Sequence, residues 1–256
     1  MEVTLLIIAA ANAVVGCFIG ICGIAGFLLP ILYTGALNYS VDLALAASFL
    51  AFLVSGVIGS YNYYRAGNLE VSTCIKLSLG SIVGAVVGVL LQALISQEAA
   101  KVILYLVVLV SGISILFRLW QEKRTAQIAD KTIAADGLIK QTWFLLVLGF
   151  FTAAVCSLSG AGGPILVMPL LVTFGLSPRL AVGIALLNSV FIAVPACIGY
   201  LARISIPDFL TLLILVCISH GLGVLIGSRL ANKVPVTALK IFVAVFSIFI
   251  SIYMLL

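Results

Sequence analysis

Runs of about twenty apolar residues follow one another along the whole chain, with joints of only a few polar residues between them. A helix rises about 1.5 Å per residue and a bilayer's hydrocarbon layer is about 30 Å thick, so each run has the length of a membrane span. Composition agrees: 64% of the 256 residues are hydrophobic and 8% charged, against about a quarter charged in a soluble domain. The chain reads as an all-α, polytopic membrane protein, with the lipid bilayer covering much of its surface. The net charge of +5 does not point to nucleic acid, because Lys and Arg stand at the ends of apolar runs, as topology markers and headgroup anchors. MEVTLLIIAAANAVVGCFIG carries no basic stretch ahead of its apolar run, so no cleaved signal peptide is expected. The six cysteines lie within apolar runs and form no CxxC. That spacing suits small buried packing residues, not a disulfide framework or a zinc site, and no cofactor is expected.

The order of runs repeats. Residues 3–21 are apolar, 22–26 break the pattern, 27–36 form a short apolar arm, and spans follow at 42–64, 71–95 and 102–120. After the one long polar stretch, 121–142, the pattern resumes with a run at 143–158, a break at 159–164, an arm at 165–175 and spans at 179–201, 208–231 and 240–256. A shift of 137 residues aligns Gly23 with Gly160, Gly26 with Gly163, Ser40 with Ser177, Tyr63 with Tyr200 and Gly84 with Gly221. Residues 1–120 and 143–256 are therefore read as two repeats joined by a cytoplasmic linker, the usual construction of secondary transporters.

Charge sets their relative orientation. The linker carries Lys123, Arg124, Lys131 and Lys140, which places it inside. If each broken stretch (3–36 and 143–175) is a hairpin followed by three spans, only Lys101 and Arg203 of the thirteen basic residues fall outside. If the breaks do not turn the chain, five fall outside. The first arrangement obeys the positive-inside rule better and makes the repeats inverted.

The breaks carry the chemistry. Non-helical backbone at membrane depth is tolerated only where protein or water satisfies its N–H and C=O groups. In SGAGGPILVMP, Gly162 and Gly163 permit positive φ and close approach of a ligand, and Pro164 suits the first turn of a helix. That helix points free N–H groups and its positive dipole end at Ser159, Gly160, Gly162 and Gly163, an arrangement that holds an anion. Ser157 and Ser159 add hydroxyls. The first copy, CGIAGFLLP, offers Gly23, Ala25 and Gly26 without a neighbouring hydroxyl.

Other features have blander readings. Gly80-x3-Gly84-x3-Gly88 and Gly16-x3-Gly20 are helix-contact patterns, and any such face left exposed would suit a homodimer. Asn12, Ser48, Asn188 and Ser189 are polar within spans, as cavity lining or as interhelical bonds, with Asn188 the first choice for lining. His220, the single histidine, is either a proton-coupling group or a neutral ring bonded to a backbone carbonyl.

At the two breaks the sequence resembles the sulfite exporter TauE/SafE family, also called the 4-toluene sulfonate uptake permease family. Its hallmark is a duplicated GxGGGxLxxPxL-like segment opening each half. GAGGPILVMPLL (160–171) follows the pattern with Pro164 in place of a small residue, whereas in GIAGFLLPIL (23–32) Ala25 replaces a glycine and Pro30 comes early. The resemblance implies transport of a small sulfur-containing anion, sulfite or an organosulfonate, across a prokaryotic cytoplasmic membrane, and the two repeats suit a secondary transporter working by alternating access. The rivals are a passive anion channel and a thiol-dependent membrane enzyme using Cys22 or Cys156. The latter lacks paired carboxylates or a His/Cys/Asp cluster.

Overall fold

The computed structural model describes residues 2–23, 25–125, 139, 141–174, 176–230 and 236–255. The first half holds α1 (Glu2–Cys22), α2 (Leu28–Ile31, running on as a π-helical turn over Leu32–Ala36), α3 (Val41–Arg65), α4 (Val71–Ala93) and α5 (Gln97–Thr125). The second holds α6 (Thr142–Ser159), α7 (Gly163–Thr173), α8 (Pro178–Leu201), α9 (Ile206–Leu230) and α10 (Val236–Leu255). Among the described residues seven helices are long and apolar enough to cross a membrane. Each half opens as expected with a helix, a break and a short arm. The arms, α2 with its π turn and α7, rise only about 13 and 16 Å, so neither reaches across a bilayer by itself. The expected linker begins later than the sequence suggests, because α5 stays helical through Thr125. Most of that linker lies outside the described residues.

Glycine faces set the pairing. α1 packs on α9 and α4 on α6, so each break-bearing helix leans on the opposite half. A Cβ at Gly80, Gly84 or Gly88 would run into the α6 backbone at Leu146, Phe150 or Ala154. Gly223 and Gly227 meet the Ala13 and Cys17 carbonyls, while Gly16 and Gly20 meet those of His220 and Val224. Residue numbers rise together on both sides of each seam, so these pairs are parallel. The GxxxG stripes thus serve packing within the chain, where lipid gives helices no hydrophobic drive to associate and close backbone approach supplies it instead. One aligned pair plays two parts: Gly84 faces α6, whereas Gly221 faces Val54 and Ile58 of α3.

At the centre α3 crosses α8. Phe49 meets Tyr200 and Gly59 meets Leu186, so this pair is antiparallel. These two spans are 67% buried over their most apolar windows, against 39% for α1 and α6, which makes them the inner pair. α4 also packs on α8, α9 on α3, and α5 on α10. Exchanging the two halves leaves this set of main pairs unchanged. The duplicated residues also match locally. Ser40 caps α3 by accepting from the Leu43 N–H at 3.4 Å, and Ser177 caps α8 by accepting from Leu180 at 3.4 Å. Outward faces such as Leu79, Val83 and Leu90 of α4, or Ile214, Ile218 and Leu222 of α9, are apolar and exposed, as a lipid-facing stripe requires.

Gly80→Val should force α4 off α6 and cost about 3 kcal/mol, as overpacking does, lowering the thermal midpoint in detergent. Gly67→Ala, with nothing within 4 Å of its Cβ but a φ of +71°, should cost only about 1 kcal/mol.

Candidate functional site

Both breaks are built alike. α1 ends where the Gly23 N–H donates to the Ile19 carbonyl at 2.8 Å, and α6 ends where the Gly160 N–H donates to Cys156 at 2.8 Å. Gly23 and Gly160 take φ of +70° and +74°, the left-handed turn that closes a helix. Two residues on, Ala25 and Gly162 take φ of +110° and +79°. Positive φ therefore falls at Gly160 and Gly162, while Gly163, a sequence candidate for it, is already the first residue of α7. Pro164 sits in the first turn of α7, as its missing N–H predicts.

The two breaks, distant in sequence, meet at one enclosed cavity. It is lined by Gly23 and Gly26 from the first break, Ala161, Gly162, Pro164 and Ile165 from the second, Ile19 of α1, and Phe52 and Ser55 of α3. The Phe52 ring lies between the breaks: a Cβ on Gly26 would stand 2.7 Å from it and one on Gly162 3.3 Å. The enclosed volume is about 10 Å³, near the lower limit for a single water. The lining is mainly apolar, with Ser55 its one polar side chain among the described residues, and the space is too small for anything larger than a water.

The donors are distributed unevenly. The first-turn N–H groups of α7 have no acceptor within their own helix, and Pro164 removes one of them. In the first break, Leu28 and Leu29 already donate to the Ala25 and Gly26 carbonyls at 3.0 and 3.1 Å. The serine hydroxyls are also committed. Ser157 donates to Ala153 at 2.8 Å, and Ser159 donates to Val155 at 2.7 Å while accepting from the Ala161 N–H at 3.3 Å. They shape the end of α6 rather than reach into the cavity. The Cys156 thiol turns toward the Gly162 carbonyl at 3.3 Å.

Other sequence candidates lie elsewhere. Asn188 faces α4, where its Oδ1 accepts from Ser78 at 3.0 Å, with its buried Nδ2 unpartnered. Ser48 and Ser189 donate to the Ala44 and Leu186 carbonyls of their own helices, each at 2.7 Å. Asn12 donates to Tyr33 Oη at 2.7 Å. His220 is fully buried on the α1–α9 seam, beside the Asn12 backbone. Ser55, which does line the cavity, escaped the sequence reading because VSGVIGS looks like a run of small packing residues.

Arg203 was also missed as more than a topology marker. It donates to Gln92 Oε1, to the Val89 carbonyl at 2.8 Å and to Asp42 at 3.4 Å, and lies 5.3 Å from the centre of the Tyr200 ring. Tyr200 in turn donates to the Ser157 carbonyl at 2.6 Å, three residues before the second break's Gly160. Among the described residues no group of three or more His, Cys, Asp or Glu could hold a metal ion.

Ala25 holds a backbone conformation that costs a residue with a Cβ about 1–2 kcal/mol. Ala25→Gly should therefore raise stability by about 1 kcal/mol, read as a higher thermal midpoint, and Gly162→Ala should lower it by a like amount.

The sequence profile of the family described as "Sulfite exporter TauE/SafE" matches residues 5–254. The "Probable membrane transporter protein YdhB" of Bacillus subtilis (strain 168) is 27% identical over 224 residues, 87% of each chain. No solved structure matches. A profile match across nearly every helix, with the duplicated glycine breaks brought together at the centre, leaves one assignment: this multi-pass membrane protein belongs to the sulfite exporter TauE/SafE family.

Proposed function

We propose that the chain is a secondary transporter that carries a small sulfur-containing oxyanion, sulfite or an organosulfonate, between the two breaks. The observation that carries the proposal is the shared cavity, which both breaks line, together with the positive φ they share at Gly23 and Gly160 and at Ala25 and Gly162. Free N–H groups at the start of α7 and the dipole of that helix favour negative charge there. A cavity of about 10 Å³ is far too small for sulfite, so binding requires the breaks to part. Access then requires the arms to move relative to α3 and α8.

Inverted repeats give such motion a simple route, because swapping the conformations of the two halves exchanges which side is open. The antiparallel α3–α8 crossing, the matched serine caps and the half-exchanging pattern of packing support that relation. The family assignment and the transporter relative favour a carrier over a thiol enzyme.

In proteoliposomes, sulfite and sulfoacetate should be taken up with saturation and counterflow, in preference to chloride. Equal flux of all anions, or flux that does not saturate, would refute the carrier. Gly162→Val should reduce sulfite flux about ten-fold, the value of one hydrogen bond to a charged group, with protein still present in the membrane. Proton coupling through His220 belongs to the same reading: His220→Gln should remove the pH dependence of uptake, and an unchanged pH profile excludes it.

A further inference from the structure

Arg203 follows α8 at one end of the bundle, and its guanidinium is unusually well anchored. Three neutral groups hold it: the Gln92 side chain, the Val89 carbonyl at 2.8 Å and the face of Tyr200 at 5.3 Å. Its one charged partner among the described residues is Asp42 in the first turn of α3, and the contact between the two is long, at 3.4 Å. A strong charge-assisted bond is about 2.7–2.9 Å, and an Arg–carboxylate pair often makes two in parallel. The fork is thus fixed by its neutral partners, while its anion position is loosely filled. Both side chains remain partly accessible, at 25% and 20%, so an ion from solution can reach them.

Sulfite and sulfonates match a carboxylate in what an Arg fork recognises, namely oxygens set to accept two parallel N–H groups. The anchor also connects inward. Arg203 lies over Tyr200, Tyr200 stacks on Phe49 at 5.7 Å, and Phe49 meets Phe52 edge-on at 5.6 Å. Phe52 is the ring between the two breaks. The position equivalent to Arg203 after the 137-residue shift is Ala66, so the device exists in one half only.

We infer that Arg203 is a docking site for the transported oxyanion at one mouth of the protein, and that Asp42 is a built-in competitor which the oxyanion displaces. The inference rests on the anion-transport reading for the identity of its ligand. Displacement exchanges one ionic partner of Arg203 for another, so the arriving charge is bound before the cavity opens. Asp42 keeps the guanidinium paired when no substrate is present.

Two assays separate docking from transport. In the first, purified protein is treated with phenylglyoxal, which modifies arginine, and each site is read by peptide mass spectrometry with and without sulfite. Sulfite should protect Arg203 and leave Arg65 unprotected. Asp42→Asn should bring half-protection at about ten-fold lower sulfite, the value of losing a competing charged hydrogen bond. In the second, sulfite uptake is measured in vesicles. Asp42→Asn should lower the half-saturating concentration, Arg203→Gln should raise it about ten-fold, and the double variant should follow Arg203→Gln. Asp42→Glu keeps the competitor and should stay near wild type, while Arg203→Lys, a charge without the fork, should fall between. Sulfite that does not protect Arg203 in the wild-type protein overturns the inference without needing any variant. So does an Asp42→Asn variant with unchanged half-saturation. Protection without flux keeps the docking site and removes the transport reading, and flux without protection does the reverse.

Discussion

Backbone that leaves helical geometry inside a hydrocarbon layer must find its hydrogen-bond partners in protein. α1 and α6 both stop at such a point, and much of the fold follows from covering the two ends. Gly23 and Gly160 turn the last N–H of each helix back onto its own carbonyls, which satisfies part of the need locally. Packing against α3 and α8, the two most enclosed spans, shields both breaks from lipid, with Phe52 wedged between the glycines of both. The cavity left between the breaks is small, about 10 Å³.

The same constraint explains why neither half closes alone. α1 finds its glycine-to-backbone seam on α9 and α6 finds its own on α4, each across the boundary between halves. Large side chains on these faces would separate the helices and expose the ends of α1 and α6. Residues 1–120 and 143–256 are repeats in sequence, yet they interleave as one body in packing. The α1–α9 and α4–α6 seams are backbone-close contacts with no room to slide past a side chain. The α3–α8 crossing relies instead on aromatic stacking at Phe49 and Tyr200 and on Leu186 against Gly59. In the proposed alternating access, that crossing is where the two parallel pairs would shift.

Spans, breaks and duplication were legible in the sequence because each rests on a strong signal: apolar length, Gly-Pro chemistry, and residues such as Ser40 and Ser177 that align under one shift. Backbone conformation was legible one residue less well. Positive φ falls on Gly160 and Gly162, whereas Gly163 starts the helix, since a helix C-cap claims the first glycine of the group. The polar lining was hardest to read. Asn188 and Ser189 look central because they sit mid-span, but helix rotation about α8 sends Asn188 toward Ser78. Ser55 lines the cavity from within a run of small residues. Arg203 and Asp42 are 161 positions apart, and no local pattern links them.

The likeness of the two breaks also has a limit, and the limit has a direction. Ala25 occupies a backbone conformation that glycine takes without strain, at the position where the second break has Gly162. The Leu28 and Leu29 N–H groups are closed onto the Ala25 and Gly26 carbonyls, so the first break presents few donors. In the second, the start of α7 lines the cavity through Pro164 and Ile165, and its preceding helix end is tied through Ser157 and Tyr200 to Arg203. Donors, dipole and guanidinium thus all attach to the second half. In an anion carrier built this way the second break would bind the charge and the first would serve as the wall against it. A side chain in place of glycine at position 25 is then tolerable, because a wall needs shape and a binding surface needs exposed backbone.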